Sequence, residues 1–171
     1  MRTKILIYTI CIYVFTVLQS TILDYIKIFN IKPNLLIILI IAVALLRGNV
    51  EGAVVGFFTG LAQDIASGKV IGYYALLGMY LGLLVGSVNK RLYRENLFVI
   101  IFFTFVASIV YESAVFFLSI YLHGHRDLFF PFRYIILPEA IYNCIFSVFM
   151  FILVIWMHYK IEDAGKITRK Y

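Results

Sequence analysis

Long apolar stretches recur along this chain from Ile5 to Tyr159, and no polar stretch between them is large enough to fold separately outside a bilayer. Hydrophobic residues make up 63% of the chain, charged residues make up 14%, and the mean hydropathy is +0.97. Soluble domains carry about a quarter charged residues, so a water-soluble fold is excluded. We predict an all-α polytopic membrane protein in which residues 1–171 form a single transmembrane domain.

Four apolar segments are long enough to cross a membrane, since a span needs about 20 apolar residues to cross roughly 30 Å of hydrocarbon. These segments lie at about 5–23, 71–88, 97–122 and 134–158. The first follows a basic N-terminus, as a signal peptide does, but it ends without a small-x-small cleavage site. We therefore expect it to be retained as a span.

A fifth apolar stretch, from Leu35 to Ala66, is interrupted by the polar sequence Arg47 to Glu51. The interruption predicts a tight hairpin of two short helices, at about 34–46 and 50–66, which brings the total to about six transmembrane helices. Pro33 is expected at the start of the first helix of the hairpin, where a missing backbone N–H costs nothing. Lys32 is expected to extend outward to the lipid headgroups.

The distribution of basic residues predicts that both termini are cytoplasmic. With six spans and an internal N-terminus, ten of the fifteen basic residues lie inside: Arg2, Lys4, Arg47, Lys90, Arg91, Arg94, Lys160, Lys166, Arg169 and Lys170. The outer loops hold the other five: Lys27, Lys32, Lys69, Arg126 and Arg133. This bias follows the positive-inside rule. Without a crossing hairpin the first and last spans would conflict in orientation, which favours six spans over five.

The net charge of +6 comes from basic residues dispersed over short loops and the C-terminal tail. A nucleic-acid-binding surface concentrates such residues on one face, so no nucleic-acid partner is expected. The basic inner face is instead suited to anionic membrane lipids, although membrane topology alone also explains it.

Small residues recur at four-residue spacing in two neighbouring helices. They are Gly52, Gly56, Gly60 and Asp64 in one helix, followed by Gly78, Gly82 and Gly86 in the next. Residues four apart share a helical face, and small residues allow membrane helices to pack closely. The two tracks therefore predict either tight packing inside the bundle or contact with a partner helix. Asp64, near the outer boundary, is expected to cap the following loop or to pair with Lys69.

Three polar side chains fall inside apolar segments. Glu112 lies well within 97–122, where a carboxylate normally needs a partner or a water-filled cavity, so it should face the bundle interior. It is either a proton or ligand site, or a protonated or hydrogen-bonded group that holds helices together. Pro138 and Glu139 suit the first turn of a helix or a kink. Asn143 shares a face with Glu139 and is expected to join a polar interhelical network.

No catalytic, cofactor or metal site is predicted. The chain has no G-x-S-x-G, P-loop or C-x-x-C sequence and no paired-carboxylate motif, and Glu112 has no evident base or nucleophile beside it in sequence. The loop sequence His123-Gly-His125-Arg126-Asp127 offers at most three metal ligands without a fixed helical spacing. Cys11 and Cys144 lie in apolar stretches and indicate neither a disulfide nor a metal site.

The sequence from Gly56 to Gly68, continuing through Leu76-Leu-Gly78 and Leu81-Gly82, resembles the MreD family of bacterial rod-shape proteins. The resemblance extends along nearly the whole chain. It includes Leu18-Gln19-Ser20-Thr21, Asn89-Lys90-Arg91, Pro138-Glu139 and Tyr142-Asn143. The glycine and aspartate stretch carries most of its specificity.

This resemblance implies a non-catalytic subunit of the cell-elongation machinery in the bacterial cytoplasmic (inner) membrane. The implied partners are the bitopic protein MreC and, indirectly, the MreB filament, the RodA polymerase and its penicillin-binding transpeptidase. The family is also similar in architecture to the substrate-binding subunits of energy-coupling-factor vitamin transporters. That similarity keeps open a pocket lined by Glu112, Glu139 and Asn143, although no long outer loop is present to cover a ligand. A third possibility, an enzyme acting on a lipid-linked precursor, would need Glu139 with His123 or His125.

Overall fold

The computed structural model describes residues 2–23, 25–27, 31–68, 71–88, 97–123 and 132–168. Within these ranges the chain forms six α-helices: α1 (Arg2–Thr21), α2 (Leu35–Arg47), α3 (Asn49–Ser67), α4 (Tyr73–Val88), α5 (Leu97–His123) and α6 (Leu137–Thr168). A five-residue π-helical turn, Phe132–Ile136, leads directly into α6. The expected all-α fold is confirmed.

Two segments of the described chain are long and apolar enough to cross a membrane, Phe98–Leu118 and Arg133–Trp156. Three further apolar helices are shorter: Ile5–Thr21, Leu35–Arg47 and Tyr73–Val88. The helix predicted at 71–88 begins only at Tyr73, because Gly72 has a φ of +103° that interrupts helical geometry before it. The number of spans and the orientation of the termini stay predictions.

The hairpin predicted between Leu35 and Ala66 is present, and its turn is a single residue. Gly48 lies between α2 and α3 with a φ of +94°, a conformation that side-chain-bearing residues rarely adopt. Its N–H donates to the carbonyl of Ala44 at 2.9 Å, which closes the last turn of α2. Pro33 does not lie in the first turn of α2 as expected. Asn34 caps this helix with its side chain, so Pro33 precedes the cap.

Helix α2 is the centre of the bundle. Every residue from Leu35 to Leu46 is apolar and buried, and the helix packs against each of the other five. A helix that is apolar all round has no face suited to water, so it is covered on every side. Its 13 residues span only about 20 Å. The non-helical residues before it, Ile31, Pro33 and Asn34, are therefore buried as well, and their polar groups need partners inside the protein.

The π-helical turn places Pro138 near the start of α6. A proline ring collides with the carbonyl four residues earlier in a regular α-helix. The wider π-turn, which ends at Ile136, relieves that collision while the helical path continues. Pro138 thus lies at a first-turn position of α6 and beside an irregular turn, in agreement with the helix start or kink expected from sequence.

Candidate functional site

The two glycine tracks face each other across the α3–α4 interface. All six of their members are buried: Gly52, Gly56, Gly60, Gly78, Gly82 and Gly86. A Cβ atom added to Gly56 would collide with the carbonyl of Gly78, and one added to Gly82 would collide with the carbonyl of Gly52. The backbones of the two helices are therefore in direct contact. This face lies inside the bundle and is not exposed to a partner.

Asp64, at the end of the same face, caps helix α4. Its side chain is fully buried. Oδ1 accepts a hydrogen bond from the N–H of Tyr74 at 2.9 Å, and Oδ2 accepts from the N–H groups of Gly72 at 2.9 Å and Ala75 at 3.2 Å. A carboxylate at a helix N-terminus pairs otherwise unsatisfied donors and interacts favourably with the helix dipole. Lys69, the other expected partner of Asp64, lies outside the described residues.

A polar network surrounds the N-terminus of α2, and Asn34 is its hub. The Asn34 Oδ1 atom accepts from the N–H of Ile37 at 3.3 Å and from Nε2 of Gln19 at 3.2 Å. Gln19 also accepts from the N–H of Leu36 at 3.2 Å through its Oε1 atom. The side chains of α1 and of the cap thus satisfy backbone donors that neither the helix nor the bilayer could pair.

Asn143 joins this network from α6, as the sequence analysis expected for a polar interhelical contact. Its Oδ1 atom accepts from the backbone N–H of Asn34 at 2.7 Å, and its Nδ2 atom donates to the Ser108 hydroxyl of α5 at 3.1 Å. Both Asn143 and Ser108 are fully buried. A single amide therefore connects α2, α5 and α6, using both its donor and its acceptor groups.

Glu112 and Glu139 meet at this network. Nδ2 of Asn34 donates to Oε1 of Glu112 at 3.4 Å, and the carboxyl groups of Glu112 and Glu139 lie within hydrogen-bonding reach of each other. The sequence shows no paired-carboxylate motif because the two acids lie on different helices. A hydrogen bond between two carboxyl groups requires at least one of them to carry a proton, so a hydrogen-bonded pair carries at most one negative charge.

A cavity of about 790 Å³ opens beside the carboxyl pair. Its polar lining consists of the two acids together with Gln19, Lys32, Asn34, Gln63 and Arg133, and three tyrosines complete the polar side chains around it: Tyr74, Tyr134 and Tyr142. These residues come from the end of α1, the loop before α2, the end of α3, the start of α4, the π-helical turn and the start of α6, with Glu112 from within α5. The cavity therefore lies at one end of the bundle, the end that the orientation prediction places outside.

Lys32 and Arg133 give the cavity basic groups as well as acidic ones. Lys32 was expected to extend outward, but it lines the cavity and its Nζ atom donates to the carbonyl of Gln19 at 3.2 Å. It is also close enough to Glu139 to interact with it electrostatically. The structure differs from this prediction because the loop before α2 packs beside the cavity, where the ammonium group reaches the Gln19 carbonyl.

Asn34 and Gln19 were not selected as site residues from the sequence, although a local signal existed for one of them. An Asn directly before a long apolar run is a typical helix N-cap. Gln19 offers no such signal, because its contact with Asn34 depends on how α1 packs. His125 lies outside the described residues, and the side chain of His123 is not described. Among the described residues no three His, Cys, Asp or Glu side chains form a group suited to a metal.

Residues 1–161 match the family model for rod shape-determining protein MreD. The chain belongs to the MreD family. No curated protein matches the chain, and no solved structure matches it either. The architectural similarity of this MreD protein to vitamin-transporter subunits therefore stays a prediction.

Membership in the MreD family makes this chain a rod shape-determining membrane protein. The family is one of shape-determining proteins and not of known enzymes, and the described residues give no positive sign of catalysis. The glycine and aspartate stretch that carried the resemblance is, in the structure, the α3–α4 contact and the cap of α4. The most specific sequence feature of this chain, the glycine and aspartate stretch, therefore forms contacts within the protein itself.

Proposed function

We propose that this MreD protein is a non-catalytic, multi-pass subunit of the cell-elongation complex in the bacterial cytoplasmic membrane. In this role it binds an MreC-like bitopic protein and helps to link MreB filaments to RodA and its penicillin-binding transpeptidase. The observation that carries the proposal is the family match over residues 1–161. The apolar, all-helical structure supports a role based on lateral contacts within the membrane.

The glycine tracks are buried between α3 and α4, so we place the partner contact on other faces of the protein. Large apolar side chains remain exposed on both membrane-length segments, including Phe98, Phe102, Phe117, Phe149 and Ile152. In a membrane such faces are covered by lipid or by another helix. A bitopic partner can therefore reach this protein without disturbing its core.

Gentle detergent purification of the tagged protein from its own host tests the proposal directly. We expect mass spectrometry to identify an MreC-like bitopic protein, enriched over a purification with an unrelated tagged polytopic protein. Recovery of an ATPase pair with a membrane coupling subunit would overturn the proposal in favour of vitamin transport. The enzyme alternative would gain support if cells with substitutions at Glu139, His123 and His125 lost viability while complex assembly was unchanged.

The prediction of six spans with cytoplasmic termini determines which side of the membrane two exposed positions face. Tyr25 follows α1 and is 88% exposed, and Asn49 begins α3 next to the hairpin turn. In a background with both native cysteines replaced by alanine, we expect Tyr25→Cys to react with an impermeant maleimide from outside. Asn49→Cys should react only after permeabilisation. Reaction of both positions from the outer side would rule out a crossing hairpin.

A further inference from the structure

The cavity beside Glu112 and Glu139 is lined by both acidic and basic groups. The acids lie on α5 and α6 within hydrogen-bonding reach of each other, and Glu112 accepts a hydrogen bond from Asn34. Lys32 and Arg133 line the same cavity from the loop before α2 and from the π-helical turn, and Lys32 also interacts electrostatically with Glu139. A ligand that carries both signs of charge is complementary to this lining.

The acidic side suits a primary ammonium group. The oxygens of the carboxyl pair accept hydrogen bonds, and a hydrogen-bonded pair carries at most one negative charge, since at least one of its groups is protonated. Gln19, whose amide also lines the cavity, adds an oxygen acceptor beside it. An ammonium group offers three N–H donors, whereas a quaternary amine offers none. The acidic side can therefore distinguish these two kinds of cation by hydrogen bonding.

The basic side suits a phosphate at the level of the membrane surface. Arg133 begins the membrane-length apolar segment Arg133–Trp156, and it is exposed. A guanidinium group binds phosphate through two parallel hydrogen bonds. The two residues after it, Tyr134 and Ile135, line the cavity and are 57% and 46% exposed. The rim of the cavity is thus largely apolar, and it lies next to the Arg133 guanidinium group.

We propose that this cavity binds a phosphoethanolamine group, with its ammonium at the Glu112–Glu139 pair and its phosphate at Arg133 and Lys32. The apolar rim and the position of Arg133 favour the headgroup of phosphatidylethanolamine as the source, with the acyl chains along the exposed start of α6. A volume of about 790 Å³ lies within the usual range of about 300–1,000 Å³ for small-molecule sites.

Thermal unfolding of the purified protein in detergent tests the site, because a ligand that binds only the folded state raises the melting temperature. The probes are dihexanoyl phosphatidylethanolamine, its phosphatidylcholine and phosphatidylglycerol counterparts, and free phosphoethanolamine. We expect the ethanolamine lipid to bind about tenfold more tightly than the choline lipid, which lacks N–H donors. Equal binding of free phosphoethanolamine would support the site with a soluble source, and weaker binding would support the lipid.

Two variants and a control distinguish the acidic side of the site from the basic side. Glu139→Gln should weaken binding of the ethanolamine lipid about tenfold and abolish its preference over choline. Arg133→Gln changes an exposed residue, so it should fold normally, and it should weaken both lipids equally. Glu51→Gln is the matched control, because Glu51 lies at the opposite end, where it accepts a hydrogen bond from Tyr8.

Two results would overturn the proposal. The first is binding of the glycerol or choline lipid as tightly as the ethanolamine lipid by the unmodified protein. The second is an unchanged affinity for the ethanolamine lipid in Arg133→Gln, which needs no perturbation of the buried network. If Glu139→Gln fails to fold, the Arg133 variant and the lipid preference of the unmodified protein still decide the question.

Discussion

Replacing Gly56 by leucine is expected to remove the protein from the membrane. A single added Cβ at this position would collide with the backbone of Gly78, and a backbone cannot move aside as a flexible side chain can. The two helices would have to separate along the whole interface, at a cost of about 3 kcal/mol or more. The steady-state amount of tagged protein in membranes, together with the melting temperature in detergent, measures this effect.

Val54→Leu is the matched control for this substitution. Val54 lies on the same helix but is 51% exposed and borders an open groove, so there is room for one more methylene group at this position. Its abundance should equal that of the unmodified protein. Normal abundance of the Gly56→Leu protein with loss of partner binding would contradict the packing shown here and would place the glycine track at a docking surface.

Replacing Asp64 by alanine is expected to destabilise the start of α4. The substitution leaves the N–H groups of Gly72, Tyr74 and Ala75 without their acceptor. Each buried donor without a partner costs about 1–3 kcal/mol, so we expect a total loss of about 3 kcal/mol or more. Thermal unfolding of the purified variant checks this, and limited proteolysis near Gly72 should show a more accessible backbone.

Asp64→Asn provides an intermediate case, since asparagine keeps one oxygen acceptor and replaces the other with an amino group. It should lose about half as much stability as the alanine variant. Ser67→Ala is the control, because the Ser67 hydroxyl is exposed and donates only to the carbonyl of Gln63 in its own helix. A melting temperature of Asp64→Ala equal to that of Ser67→Ala would show that the cap contributes little.

The two ends of the bundle differ in what holds them together. At one end, Tyr8 donates to Glu51 at 3.1 Å, and Arg47 lies 3.9 Å from the same carboxylate. At the other end, the network of Asn34, Asn143 and the carboxyl pair is more deeply buried and borders a cavity. A polar network that is buried and borders a cavity is compatible both with holding helices together and with binding a ligand, so the two interpretations of Glu112 given by its sequence do not exclude each other.

Several features of this protein were predicted from its sequence because they depend only on local spacing. Apolar runs predicted helices, and the polar interruption near Gly48 predicted the hairpin. The four-residue spacing of glycines predicted two smooth helical faces, and it left open whether these faces pack inside the bundle or against a partner helix. The family resemblance rested on this same stretch and was confirmed over residues 1–161.

Other features were decided only by the tertiary structure. Asn34 and Asn143 are 109 residues apart, yet they are joined by a 2.7 Å hydrogen bond. The meeting of Glu112 with Glu139 likewise requires particular rotations of α5 and α6 about their own axes. Periodicity within a helix determines which residues share a face, but it does not determine which helix that face will meet. In this protein the sequence therefore determined the helices and their faces, whereas the packing around α2 alone decided which polar groups meet and form the cavity.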